Sequence, residues 1–578
     1  MRPTAMSPGA RAEALETMGS GRELDVLIVG GGIVGAGCAL DAVTRGLSVG
    51  LVDAGDWSGG TSSRSSKLIH GGLRYLEMLD FRLVQEALKE RGLLLNKLAP
   101  HLVRPVKFLY PLKHRIWERW YVGAGLVLYD TLGLTSGNSR GVPGHRHLSK
   151  RRALAEAPSL RSDALIGAVE YWDAQEDDAR YTMTLVRTAA AYGALTANRA
   201  RAERFLRQGE RVTGAVVVDT ETGREYEVHA KQVIDATGVW TDEVQQLAGT
   251  RGHFHVRASK GVHLLVPRDR INSRTGMILR TETSVLFVIP WGNHWLIGTT
   301  DTDWTLDKRH PAVSARDVEY LLDHVNRVLV TPLTEDDVEG VYAGLRPLLA
   351  GEAAETSKLS REHIVSNPLP GMIVVAGGKY TTYRVMAKDA VDEAVRTVDG
   401  RKAGESVTYD VPLVGADGYR ALWNRREALA EQSGLHVARI EHLLNRYGSL
   451  IWELLDLLRE DPSLGTPLQG SEEYMELEVL YAVTHEGARH LEDVLARRTR
   501  ASIESWDRAV ATAERCARLM AGPLGWSEEQ IRDEVDHYRA RVDAERDAQR
   551  QPDDRSADAA RLSAPDIVEL RRPEGVSQ

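Results

Sequence analysis

The run "LDVLIVGGG" (Leu24–Gly32) is apolar at five of its first six positions and then stops at three glycines. A continuous apolar run ending at glycine predicts a buried strand followed by a tight turn. "IVGAGCALDAVTRG" (Ile33–Gly46) predicts a helix closed by a glycine cap, and "LSVGLVDAGD" (Leu47–Asp56) a second strand. The chain therefore opens with a β-α-β unit. Later, "VTGAVVVDT" and "REYEVHAKQVIDATG" alternate as strands do. "HLLVP", "SVLFVIPW" and "HWLIGTTDTDW", between His263 and Trp304, predict antiparallel strands of a second domain. "GMIVVAGGKYTTYRVMAKDAVDEAV" (Gly371–Val395) reads as strand, glycine turn and helix, and from about Ala421 to Arg541 the pattern is helical.

This order predicts an α/β chain with no internal repeat. Residues 1–22 read as a flexible extension, and 23–104 as the first part of a nucleotide-binding domain. Residues 105–150, irregular and rich in Pro, Arg, His and aromatics, read as an insertion facing substrate or membrane. The nucleotide domain resumes over 151–250 and again over 351–400, around an antiparallel-sheet substrate domain at 251–350. A helical domain spans 410–545. The polar segment 546–578, containing "DAQRQPDDRSADAA", is expected to be a disordered tail.

Charge and cysteine content narrow the function. A formal net charge of −9 argues against nonspecific nucleic-acid binding. Cys38 and Cys516 have no CxxC partner, so no disulfide framework or metal site is expected and a reducing compartment is. Residues 1–22 lack the apolar core of a secretory signal, and Glu13 and Glu16 count against a mitochondrial presequence. Met6 and Met18 are alternative starts. There is no apolar run of transmembrane length.

Gly30, Gly32 and Gly35 fit GxGxxG. The first glycine permits the tight turn, the second lets backbone approach a pyrophosphate, and the third lets helix and strand pack closely. Phosphates then meet the helix N-terminus. Asp53, at the end of the second strand, is placed to bind a ribose hydroxyl. "TSSRSSKLIHGGLRYLE" (Thr61–Glu77) follows directly, packing hydroxyls, Lys67, His70, Arg74 and Tyr75 into one segment beside the nucleotide fold. Such a density of donors calls for an anionic ligand.

Together with "VIDATGVW", "LFVIPWGNHWLIGTTDTDW", "YAGLRPL" and "GGKYTTYR", this segment resembles FAD-dependent glycerol-3-phosphate dehydrogenase from about Leu24 to Val395, with a helical C-terminal domain of the expected kind. The resemblance implies an FAD-binding Rossmann-like domain of the glutathione-reductase/D-amino-acid-oxidase type, holding FAD non-covalently. It implies oxidation of sn-glycerol 3-phosphate to dihydroxyacetone phosphate, hydride passing from C2 to flavin N5 and electrons to a quinone. There is no DxDxDG calcium loop.

On that resemblance, Gly238 lies against the FAD. Thr61, Ser62 and Ser66 bond pyrophosphate or flavin carbonyls, and Lys67 stabilises charge on reduced flavin. Thr381 and Thr382 sit at a helix N-terminus facing the flavin pyrimidine. Arg74, Arg361 and Lys379 take the substrate phosphate, and Tyr75 orients the substrate. Arg346 and His70 face the reacting C–OH, one polarising it and one accepting its proton; which is the base stays open. His263 is expected to be a satisfied core histidine. Thr299 and Asp301 close the flavin site or form a strand-end turn.

Two other functions compete: an oxidase of the same fold that releases peroxide, and a binding protein that kept the fold but lost catalysis. The Arg/Lys/His cluster counts against the second. Basic and aromatic residues interleaved over Arg104–Asp130, including Trp117 and Trp120, suggest docking on a membrane surface. The expected setting is the cytoplasmic face of the inner membrane, with a homodimer left open.

Overall fold

The structure, a computed structural model, describes residues 5–72, 81–114, 125–127, 142–250, 252, 254–281, 285–350, 363–397 and 403–568. Leu24–Val29 is buried at every position and lies between Val49–Val52 and Glu225–Asp235, parallel to both. Met372–Gly377 extends this sheet parallel to Glu225–Asp235, and Leu195–Ala197 parallel to Val49–Val52. Val26 and Ile28 face the helices Ile33–Thr44, Asp178–Ala191 and Tyr383–Thr397. Leu27 and Val29 face the opposite way, onto a core shared with the meander Ala200–Gln208, Arg211–Asp219 and Glu225–Asp235. A sheet covered on both sides needs the near-continuous apolar strands seen in the sequence.

The second sheet is built on Val256–Pro267, which pairs antiparallel with Gly340–Leu349 on one side and with His294–Gly298 and Thr302–Trp304 on the other. Val285–Trp291 and Gly276–Arg280 continue it, and Gly276–Arg280 then runs parallel to Arg104–Leu112. Gly167–Gln175 and Leu68–Ile69 complete the path. The two domains are therefore more interleaved than expected. Arg104–Leu112, of which 105–112 were read as the start of an insertion, forms an inner strand, with Phe108 and Tyr110 buried and Lys107 paired with Glu156 at 2.7 Å. The Pro- and Lys-interrupted pattern hid a strand whose apolar partners lie more than fifty residues away.

The termini also differ from expectation. Pro8–Met18 is a helix with proline in its first turn, and Ser7 Oγ accepts the Ala10 amide. Arg11 anchors it to Asp219 at 2.6 Å and to the Asn198 carbonyl. At the other end the helix Glu528–Gln549 runs past the predicted boundary, and Asp554–Arg561 is a further helix capped by Asp553. Ala557 and Arg561 are buried there. Composition misses this because the segment is held by alanine packing and ion pairs rather than by an apolar stripe.

The helical domain is locked to the nucleotide domain through Asp56. Its Oδ2 takes Arg497 Nε at 2.6 Å and Arg498 Nη1 at 2.7 Å, and all three side chains are buried. Among the described residues, no helix is long and apolar enough to cross a membrane.

Candidate functional site

The strand Leu24–Val29 ends at Gly30, whose φ of +110° only glycine adopts without strain. A Cβ on Gly35 would come 1.8 Å from the Gly30 carbonyl oxygen, so the helix Ile33–Thr44 can approach the strand this closely only with glycine there. Gly30, Gly32 and the start of the helix line a cleft of about 1350 Å³. Asp53 stands beside them. Its carboxylate accepts the Gly31 amide at 2.6 Å and the Gly55 amide at 2.7 Å, while burial pushes its pKa up against those bonds. Ser62 Oγ accepts the Ile33 amide at 2.9 Å, satisfying one free N–H of the helix start. Gly238, with φ +63°, and Thr61 also line this end.

The Asp235 carboxylate, beneath the "ATG" turn, accepts the Thr237 amide at 3.0 Å and its hydroxyl at 2.6 Å; burial raises it to about 7. Gly377 and Gly378, with φ +79° and +76°, bring a second backbone turn against the cleft. Methyl groups would not fit at several of these positions, and an acid, Asp53, follows the second strand. The residues present fit a bound dinucleotide such as FAD.

The far end of the same cleft is cationic and carries two histidines. Arg346 enters from Gly340–Leu349, opposite Ser259. Its Nη2 donates to Thr299 Oγ1 at 2.9 Å, both terminal nitrogens reach the Thr300 carbonyl at 3.2 Å, and Asp301 lies 3.6 Å from Nη1. Gly261 makes room for it: a Cβ there would meet Arg346 Nη2 at 2.5 Å. Lys379 and His70 line the same region. The His70 amide donates to Thr381 Oγ1 at 3.1 Å, tying the loop after Leu68–Ile69 to the turn before Tyr383–Thr397. Thr299 and Asp301 thus brace Arg346.

Two expected cofactor contacts fall elsewhere. Lys67 points into the protein: its Nζ sits 2.8 Å from Asp178 Oδ1, both side chains fully buried, over the rings of Trp291 and Tyr342. A φ of +56° at Lys67 accompanies this turn away from the cleft, toward Asp177, Asp178 and Arg500. Thr382 is buried with its Oγ1 on the Lys379 carbonyl, and Tyr380 lines the cleft next to Thr381 instead. Gly35 lies beneath the cleft rather than on its wall. Arg74, Tyr75 and Arg361 lie outside the described residues.

His263, read as a core histidine, is a cleft residue. Its Nε2 is 2.9 Å from Ser66 Oγ, and its ring stacks on Tyr342 at 4.9 Å and 15°. Burial, then the charges of Arg346 and Lys67, hold its pKa well below the usual histidine value, so the imidazole is neutral. Nδ1 has no hydrogen-bond partner among the described residues. The strand pattern around His263 gave no sign of this, because the cleft is created by Ser66 from another domain. The loop Lys308–His310 and the tail residues Asp558, Leu562 and Asp566 were also missed as cleft lining. Asp566 holds that loop, with Oδ1 2.7 Å from His310 Nε2 and Oδ2 2.5 Å from Arg309 Nη1.

Comparison with known proteins places this arrangement. A family model described as FAD dependent oxidoreductase matches residues 25–391. Another, the C-terminal domain of alpha-glycerophosphate oxidase, matches 406–531. The glycerol-3-phosphate dehydrogenase of Mycobacterium leprae (strain TN) is 55% identical over 97% of this chain and 95% of its own. The mitochondrial glycerol-3-phosphate dehydrogenase of Homo sapiens is 36% identical over 93% of this chain and 75% of its own. Among solved structures, the glycerol-3-phosphate dehydrogenase from Bacillus halodurans complexed with FAD superposes with a TM-score of 0.75 at 28% identity, covering 93% of this chain and 97% of that one.

Proposed function

The chain belongs to the FAD-dependent glycerol-3-phosphate dehydrogenase family, and from that premise we propose that it oxidises sn-glycerol 3-phosphate to dihydroxyacetone phosphate and hands the electrons to a membrane quinone. The observation that carries this reading is one continuous cleft. It joins the Gly30–Asp53 nucleotide end to an end lined by Arg346, Lys379, His70 and His263.

FAD is the cofactor, and when bound it supplies the acceptor for the hydride leaving C2. Gly30, Gly32, Asp53, Thr61, Ser62 and Gly238 would hold it, non-covalently. Lys379 answers the phosphate dianion, with Arg74 and Arg361 assigned to the same task and Tyr75 to orientation. Arg346 polarises the C2 oxygen. A guanidinium keeps its protons across the working pH range, so it is not the base. We assign the hydroxyl proton to His70. His263 is the second reading, supported by its neutral imidazole and its Nδ1 without a protein partner.

Quinone reduction calls for access to lipid, and docking on a membrane surface follows. Oxygen is the competing acceptor. The deciding experiment bleaches the purified yellow protein with glycerol 3-phosphate under anaerobic conditions, then supplies a quinone analogue or air. Reoxidation by the quinone with little peroxide in air is the expected result. Failure to bleach would remove the substrate assignment, and stoichiometric peroxide would make the protein an oxidase.

A further inference from the structure

A second, smaller cavity of about 110 Å³ adjoins the cleft. It is enclosed by the segment after Thr61–Ser63, the strand Gly340–Leu349, the loop His310–Val313 and the helices Glu528–Gln549 and Asp554–Arg561. Several waters would fit in this volume. Five arginines line its wall.

Two of them are matched by their own acids. Arg497 pairs with Asp56 and Asp493, each at 2.6 Å, and Arg500 with Asp177 at 2.6 Å. Three are matched less completely: Arg64, Arg541 and Arg561. They face Glu545 and Glu492, and Glu492 is already shared with Arg497 at 3.3 Å. Glu545 Oε1 stands 3.6 Å from both Arg541 Nη2 and Arg561 Nε, beyond hydrogen-bond length. Arg541 also pairs with Glu492. Arg64 donates to a carbonyl, that of Arg309, at 2.9 Å.

Arg561 is 3% exposed, yet its Nη1 has no hydrogen-bond partner among the described residues; nor has Arg541 Nε. His310 itself carries no negative charge, and Asp566 stands on its far nitrogen, 2.7 Å from Nε2. Its Nδ1 lies 3.3 Å from Arg561 Nη2, and burial holds its pKa well below the usual histidine value. Burial and the neighbouring guanidinium groups pull Arg64 down to about 10 and Arg541 down to about 9. Glu545, Asp307 and Asp566 offset these charges in part. Clustered guanidinium groups with buried N–H groups left over on Arg541 and Arg561 are a recognition site for an oxyanion.

We propose that this cavity binds a small tetrahedral oxyanion, inorganic phosphate or the phosphate end of a phosphate ester, between Arg64, Arg541 and Arg561. Arg64 and His310 line both this cavity and the large cleft. An anion here fixes the wall that the two spaces share.

The test uses FAD-saturated protein at constant ionic strength in chloride, titrated calorimetrically with inorganic phosphate. Arg561→Gln, Arg64→Gln and Lys379→Ala are compared with the wild type. The cavity site is expected to bind phosphate alike in wild type and Lys379→Ala, and about tenfold or more weaker in each of the other two. That is the loss of one charge-assisted contact. Glycerol 3-phosphate as a second titrant separates the sources: one site per chain surviving in Lys379→Ala and weakened in Arg561→Gln assigns the cavity to the ester as well. No binding to the wild type would overturn the proposal. So would loss of phosphate binding in Lys379→Ala alone, which would place the anion in the cleft. If Arg561→Gln and Arg64→Gln shed FAD yet, once refilled, bind phosphate as the wild type does, the cluster serves the cofactor and the proposal is wrong.

Discussion

Lys67 and Asp178 form an ion pair with Nζ 2.8 Å from Oδ1, and both side chains are wholly withdrawn from solvent. Asp178 also takes Arg500 and the Ser65 amide. This pair anchors the segment that carries Ser66 and His70 to the cleft. Removing one partner of a buried pair leaves an uncompensated charge. Asp178→Ala, which strands the buried Lys67 while Arg500 keeps Asp177, should cost roughly 3–5 kcal/mol in urea unfolding. Lys67→Met should cost clearly less, since Arg500 remains on Asp178. If the flavin reduction potential of Lys67→Met moved while its stability stayed at the wild-type value, the side chain would have to reach the cofactor after all.

Gly261 and Arg346 give a test of the cationic end that needs no charge change. A methyl at Gly261 would meet Arg346 Nη2 at 2.5 Å and Thr299 Oγ1 at 2.6 Å, so the guanidinium must shift. Arg346→Ala is expected to lower kcat/KM for glycerol 3-phosphate by about 30- to 1000-fold, the loss of roughly 2–4 kcal/mol of oxyanion stabilisation. Gly261→Ala should fall in the same direction, with FAD content unchanged in both. Wild-type kcat/KM in Arg346→Ala would move the reacting centre elsewhere in the cleft.

The nucleotide end of the cleft was legible because its logic is local. A strand, three glycines, a helix and Asp53 sit within thirty residues, and each follows from backbone sterics. The end of the cleft proposed to hold the substrate was legible only in its residue types. Ser66 and His263 are 197 positions apart and meet because Val256–Pro267 carries His263 under the loop from the other domain. Lys67 was misread for the same reason: its partner, 111 positions away, decides where it points. The tail was misread because burial of Ala557 and Arg561 leaves no apolar periodicity to detect.

His490 couples stability to pH. Burial and Arg199 pull its pKa down, but hydrogen bonds with Glu221 at 3.0 Å and Glu534 at 2.6 Å prevail and hold it up at about 9. A histidine raised above its unfolded value of about 6.5 contributes its full stability below that value. The contribution is lost as pH rises from about 6.5 through about 9. The expected loss is on the order of 3 kcal/mol between those limits. Urea midpoints at pH 6.5 and pH 9 should differ accordingly in the wild type and converge in His490→Gln. Equal slopes in the two proteins would assign the effect to other groups.

The ordered tail predicts a role in cofactor retention. Asp554 shares the fully buried Lys260 with Asp317, and Asp566 clamps Arg309 and His310 at the cleft. Removing residues 552–578 should leave a folded protein that loses FAD on gel filtration. Asp566→Asn should weaken FAD by roughly tenfold, one charge-assisted contact. The FAD-to-protein ratio, read from the visible and near-ultraviolet absorbance, is the measurement. Full retention after truncation would reduce the tail to packing. Acid precipitation of the intact protein should release the yellow colour, as a non-covalent cofactor requires.

The proposed membrane docking narrows to a shorter stretch. Arg104–Leu112 is an inner strand, so Phe108 and Tyr110 are core residues and Lys107 is taken by Glu156 and Glu170. Those residues cannot meet lipid. What remains of the basic and aromatic stretch is Lys113, Arg115, Ile116, Trp117, Arg119, Trp120 and Tyr121, of which 115–124 lie outside the described residues. Rings of this kind sit at headgroup depth, and each cation near an anionic surface contributes about 1 kcal/mol. Three cations then give roughly 3 kcal/mol, enough for weak, salt-sensitive attachment that the aromatic rings reinforce. The expected result is flotation with anionic liposomes in low salt, release in high salt, and loss of flotation when Trp117 and Trp120 are both replaced by alanine. Lys107→Ala should float as the wild type does. A double variant that floats as well as the wild type would rule the stretch out as the membrane contact.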